Sequence, residues 1–249
     1  TQPARLTEAG EWFRVIAENL VIQISRLPSE AQQVAETNSV TLRVASTHAL
    51  SFVFLPRWLR NMESSIAIER VELMSDVLSR CEILMQQGKA HFVLTHAHPK
   101  VPSSLDSESY LALKIGKDEL IPVSQPDRKG LPIHAIGTSK KKTIPILGYT
   151  DESGLGRIFA VVMSKRMNAL QTKMAFKAHL ASVLRTMALD GRGLAWLPKT
   201  LVEEDIQAGR LVLATSDGWT VPLEIRLYRE KNATGNAPLA LWNAASTQR

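Results

Sequence analysis

Cysteine occurs once, at Cys81, so an internal disulfide is excluded and a reducing, cytoplasmic setting is expected. Cys81 falls in the helical pattern Val77, Cys81, Leu84, where it reads as a small buried hydrophobe rather than a sensor thiol. Long apolar runs are also missing. The longest, Ile158–Met163, is far below the roughly 20 residues that cross a bilayer, and no membrane association is expected. No basic segment with an apolar core and cleavage site marks a secretion leader, although the chain opens on Thr1 rather than Met. Enzyme signatures are absent in turn: no G-x-S-x-G, no G-x-x-x-x-G-K, no H-E-x-x-H and no G-x-G-x-x-G. Gly154-Leu155-Gly156 is too short for a dinucleotide fingerprint. His96 and His98 with His91 lack the cysteine or paired carboxylate that a metal site needs. The expectation is therefore no catalytic residue, no metal and no cofactor.

What remains is a globular chain of 249 residues, 45% hydrophobic and 22% charged, long enough for two modest α/β lobes or one large domain. A net charge of +6 suits a protein that works near nucleic acid.

The stretch Thr41–Met62 reads as a buried strand (Leu42, Val44), a polar turn (Ser46, Thr47, His48) and one amphipathic helix with Leu50, Phe54, Leu55, Trp58 and Leu59 on its face. Ahead of it, residues 1–39 carry a helical apolar stripe (Trp12, Val15, Ile16, Leu20, Ile22, Leu27) and turn polar from Pro28 to Asn38, as a linker would. A stripe with no partner nearby in sequence predicts pairing with a second copy. After it come a strand at Ile68–Leu73, a helix at Ser75–Gln87 stopped by Gly88, and strands at Phe92–Thr95, Tyr110–Ile115 and Glu119–Val123. Ser124–Lys142 is an irregular crossing whose run Lys140, Lys141, Lys142 reads as solvated surface. From Thr143 the pattern resumes: strand Ile144–Leu147, a helix through Leu155 to Met167, a half-exposed strand around Met174 and Phe176, and a helix through Leu180 to Ala188 stopped by Gly191. Strand Leu194–Leu197, helix Leu201–Ala208, strand Val221–Tyr228 and a closing helix at Leu239–Ala245 follow. This order predicts two doubly wound Rossmann-like lobes, periplasmic-binding-protein-like, behind a long linker helix. The expected divisions are 1–39 for the linker and dimerisation helix, 40–123 with 221–249 for the first lobe, and 124–220 for the second.

Ligands in such folds sit outside the carboxyl ends of the strands, where helix starts offer N–H groups to an anion. The expected binding residues are Ser46, Thr47, His48, Thr95 and His96 from the first lobe, with Thr150, Asp151 and His179 from the second. Asp151 would repel a carboxylate, and capping its own helix is the alternative role for it. Met62, Met74, Met85 and Met174 read as core filler.

Three stretches, VTLRVASTHALSFVFLPRWL, GKAHFVLTH and LASVLRTMALDGRGLAWLP, resemble the effector domain of LysR-type transcriptional regulators, and the likeness covers residues 40–230. RLTEAGEWF is similar to the start of that family's linker helix. The resemblance implies DNA as a partner, through an N-terminal winged helix-turn-helix domain missing here, and self-association through residues 1–27. His91 departs from the family, which usually carries an aspartate there. Within the family the chain resembles most the hypochlorite-responsive branch, also linked to quinolinate-type acids. That implies an oxidant or small anion as signal, and it singles out Met163 and Met187 as redox-sensing residues. A free-standing solute-binding protein shares the two-lobe plan and is the competing class.

Overall fold

The computed structural model describes residues 6–35, 41–63, 66, 70–137, 143–215, 218–233 and 235–247. Ile68, Asn38 and the Lys140–Lys142 run lie outside them. In order, the elements are α1 (Glu8–Ala35), β1 (Thr41–Thr47), α2 (His48–Phe52), α3 (Phe54–Met62), β2 (Arg70–Asp76), α4 (Leu78–Gln86), β3 (Phe92–Ala97) and β4 (Tyr110–Ser124). They continue with β5 (Ile144–Tyr149), α5 (Gly154–Met167), β6 (Thr172–Ala178), α6 (Ala181–Leu189), β7 (Leu194–Pro198), α7 (Lys199–Gln207), β8 (Val212–Leu213), β9 (Val221–Glu230) and α8 (Asn236–Thr247).

The strands form one sheet in the order β2-β1-β3-β9-β4-β7-β5-β6, with β8 on β4. Each lobe holds a parallel triad: β2, β1 and β3 in the first, β7, β5 and β6 in the second. The antiparallel strands β4 and β9 run between the triads, paired along most of their length, so that β9 reaches β3 and β4 reaches β7. Both faces of each triad are covered, and the pleat assigns alternate residues to each face. Leu42, Val44, Phe92 and Leu94 enter one first-lobe core with Leu55, Trp58 and Leu241, whereas Ala45 and Val93 enter the other with Cys81 and Met85. In the second lobe Ile144, Ile146, Leu194 and Trp196 pack with Ile158 and Met163, while Leu147, Ala195 and Leu197 pack with Leu184 and Val202. The expected two-lobe α/β fold is the one observed.

Four local differences have physical causes. The helix expected across residues 48–62 breaks at Val53 (φ −120, ψ −54), because Pro56 has no N–H for the Phe52 carbonyl. Pro56 then sits in the first turn of α3, where that loss is harmless. The second helix starts at Leu78 rather than Ser75, since β2 stays paired with β1 as far as Thr47↔Asp76. The two strands expected at 110–123 are one strand, bent by a bulge between Lys114 and Gly116, where a side chain at Gly116 would press on Phe54. Helix α1 runs through Pro28 to Ala35, carried by the helix-forming Glu, Ala and Gln residues that follow. As expected, Gly88 and Gly191 end α4 and α6 with φ of 66 and 69, a conformation a side chain would strain. Cys81 is buried, and burial, followed by the charge of Asp76, pushes its thiol up to about 12. No helix among the described residues is long and apolar enough to cross a membrane.

Candidate binding cleft

The carboxyl ends of β1, β2 and β3 face the starts of α5 and α6 across a cleft of about 410 Å³, its open mouth included. The first lobe contributes Thr47, His48, Ala49, Asp76, Val77, Leu78, Thr95 and His96. The second contributes Ser153, Gly154, Leu155, His179 and Ala181. Of the residues expected from sequence, Thr47, His48, Thr95, His96 and His179 are brought together here. Ser46, Thr150 and Asp151 are not among the lining residues. Ser46 is fully buried and its hydroxyl donates to the Thr47 carbonyl at 3.3 Å. Asp151 is exposed and does not cap α5; Ser153 does, accepting from the Gly156 N–H at 3.2 Å. Sequence reasoning missed Asp76, Val77 and Leu78, displaced from view by placing the helix start at Ser75, and also Ala49, Ser153, Gly154, Leu155 and Ala181, whose small or apolar side chains carry no binding signal.

Three helix starts in the cleft, those of α2, α4 and α6, lack side-chain caps. The residues before α4 and α6 are Val77 and Leu180, which have no side-chain acceptor to offer. In α4 the Arg80 N–H bonds the Val77 carbonyl at 3.1 Å, and the other first-turn N–H groups of the two helices are left to a ligand or water. The rings of His48 and His179 approach from opposite lobes, their centroids 6.3 Å apart. His48 Nδ1 lies 2.9 Å from the Ser75 hydroxyl. Burial holds the His48 imidazolium below its usual range; Asp76 works against that shift and the neighbouring His179 adds to it. An anion between the two rings would favour the charged form of His48.

Deeper in, His96 Nε2 stands 3.0 Å from Oδ2 of Asp118, whose side chain is fully buried. Asp118 Oδ2 also accepts from the Thr200 hydroxyl at 2.6 Å, and Oδ1 from the backbone N–H of Glu119 (2.8 Å) and Thr200 (3.2 Å). Burial alone would raise this carboxyl, but these donors, His96 first, outweigh it and hold Asp118 below the usual carboxylate range. Thr200 opens α7, so the chain of bonds links a first-lobe strand to a second-lobe helix. Nothing local in sequence pairs residues so far apart. Three buried polar atoms near these turns have no partner: Thr47 Oγ1, His96 Nδ1 and Thr150 Oγ1.

The other histidines are engaged separately. His91 Nδ1 accepts from the Arg43 N–H and His98 Nδ1 from the Lys100 N–H. Among the described residues no three His, Cys, Asp or Glu side chains gather as a metal would require. Met163 is 2% exposed in the second-lobe core, and Met187 is half-buried against the other core of that lobe. Met62 and Met85 fill the core as expected. Met174 does not: it is 49% exposed on the edge strand β6, where it lies over Gly148.

Residues 35–248 match the family described as the LysR substrate binding domain. The chain is 24% identical over 230 residues to the HTH-type transcriptional regulator YjiE of Escherichia coli K12, covering 91% of this chain and 71% of that protein. It is also 24% identical over 230 residues to the HTH domain-truncated transcriptional regulator QseD of Escherichia coli O157:H7, covering 91% and 89%. The full-length structure of HypT from Salmonella typhimurium, a hypochlorite-specific LysR-type transcriptional regulator, superposes with a TM-score of 0.72 at 20% identity, covering 99% of this chain and 80% of that one. At that identity the superposition speaks for the fold.

Proposed function

The chain belongs to the LysR substrate-binding domain family, and from that premise we propose that its signal is a small anionic or polar ligand held between the two lobes. The domain is the effector-binding part of a transcriptional regulator, not an enzyme. In this reading residues 1–39 link and pair subunits, 40–123 with 221–249 form one regulatory lobe and 124–220 the other. DNA is contacted through a helix-turn-helix domain outside these residues. Ligand closure between the lobes changes the spacing of the DNA-binding heads.

The observation that carries the ligand reading is the meeting of His48 and His179 from opposite lobes beside the uncapped helix starts of α4 and α6. Titration calorimetry with acetate or bromide tests it. The parent protein should bind, and the double variant His48→Ala, His179→Ala should lose roughly tenfold or more, the scale of a charge-assisted hydrogen bond. Unchanged binding by the double variant would move the ligand elsewhere. Ser46, Thr150 and Asp151 stay in this proposal only as supports of the β1 and β5 turns.

A second reading, favoured by the likeness to HypT, makes hypochlorite the signal and the thioethers of Met163 and Met187 its targets. Hypochlorous acid transfers oxygen to the sulfur, giving methionine sulfoxide, chloride and a proton. Met187 lies on α6, whose start lines the cleft, so a polar oxygen there would disturb the same lobe contact.

A further inference from the structure

His96 has one ring nitrogen committed and one left over, and the commitment decides the chemistry of the other. The ring is 4% exposed and lines the cleft. Asp118, on its far side, accepts from three donors other than His96 and is held below the usual carboxylate range, so as a carboxylate it can only accept. Nε2 must therefore carry the proton that points at Oδ2. In a neutral imidazole Nδ1 is then a bare lone pair, and it is buried without a partner. The Thr47 hydroxyl, which lines the same cleft, is likewise unpartnered.

Resting on the cleft reading above, we infer that His96, set by Asp118, selects ligands that carry a hydrogen-bond donor beside their acceptor atoms. The class is small hydroxyl-bearing acids, which includes 2-hydroxycarboxylates and undissociated hypohalous acids. A bare halide or simple carboxylate meets the Nδ1 lone pair with another lone pair, whereas a hydroxyl donates to it. The remaining charged groups around the ring do not supply that donor. Asp76 is an acceptor bonded to the Val77 N–H, and His48 is engaged with Ser75. On β9, Glu224 and Arg226 are paired with each other at 2.7 Å, and Lys114 holds Glu224. His179 faces His48, and Arg157 shares the lining of a second hollow with His96 without bonding its Nδ1.

The hydrogen bonds of Asp118 also specify the variant that inverts the preference. Both backbone donors fall on Oδ1, and both partners that can reverse roles, His96 and the Thr200 hydroxyl, fall on Oδ2. In Asp118→Asn the amide oxygen can keep the backbone donors while the amide nitrogen donates to His96 Nε2. The ring proton then moves to Nδ1. Glycolate and acetate are the probes, differing by one hydroxyl. The parent should bind glycolate roughly tenfold or more tightly, because an unpaired buried acceptor forfeits about that factor. Asp118→Asn should erase or reverse the ratio. Nitrogen-15 shifts of His96 in the free parent should report the Nε2–H tautomer, a measurement that needs no variant to fold. A Nδ1–H tautomer in the parent, or equal affinity for the two acids, overturns the inference. Failure of both acids to bind, with His48 and His179 unperturbed, defeats the cleft reading itself and is a separate pattern from equal binding.

Discussion

A methionine senses an oxidant only if the oxidant reaches its sulfur, and the seven methionines of this chain differ widely in that respect. Met174 is open to solvent, Met187 is half-buried and Met163 is sealed in a core beside Ile158 and Trp196. Sub-stoichiometric hypochlorite should therefore oxidise Met174 first, Met187 next and Met163 last, read by peptide mass spectrometry. The redox reading then depends on Met187. A sulfoxide there buries a strong acceptor among Leu184, Ala188 and neighbours, at a cost of about 1–3 kcal/mol, enough to shift a two-state lobe arrangement tenfold. Met187→Gln, which carries a similar oxygen, should alter promoter output of the full regulator without oxidant. Output equal to the parent, with the protein folded, would leave Met187 as packing. Sequence pattern could not separate these residues, because alternation around Met174 fits a covered strand as well as an edge strand. What decides is the position of β6 at the end of the sheet, a property of topology.

At the scale of elements, α1 presents Trp12, Phe13, Val15, Leu20, Val21, Ile24 and Leu27 to solvent, seven large apolar side chains on one helix. Covering a side chain such as Phe13 or Leu20 fully stabilises by roughly 1.5–3 kcal/mol, so a paired α1 has a strong driving force. Changing Trp12 and Leu20 together to glutamate should shift sedimentation toward monomer. An unchanged oligomer would place the subunit contact outside α1. This helix, the strand–helix order and the glycine stops at 88 and 191 were legible from periodicity and turn chemistry. The break before α3 was legible too, had Pro56 been weighed against the apolar spacing. The start of α4 was not, since whether Ser75 and Asp76 extend a strand or open a helix depends on β1 lying alongside. Asp118 and Thr200 escaped for the same reason: neither has a local signal, and only the sheet brings them together with His96.

For the molecule as a whole, the two crossing strands have a consequence for the order in which the chain can fold. Strand β3 meets β9 and helix α8 covers the first-lobe core, yet β9 and α8 come last from the ribosome. The parallel strands β5, β6 and β7 are contiguous in sequence, interleaved with their own helices, and need no such wait. Loop closure taxes distant partners most, so the lobe that begins first is the lobe that finishes second. During refolding, pulsed hydrogen exchange should find the amides of β5 and β7 protected before those of β3; simultaneous protection would mean that the two lobes fold as one unit. A nascent chain stalled before Val221 would carry the apolar face of α1 beside an incomplete lobe, with the β9-facing edge of β3 bare. Such an edge invites pairing between neighbouring chains on one message, so synthesis itself exposes this protein to misassembly until its last strand arrives.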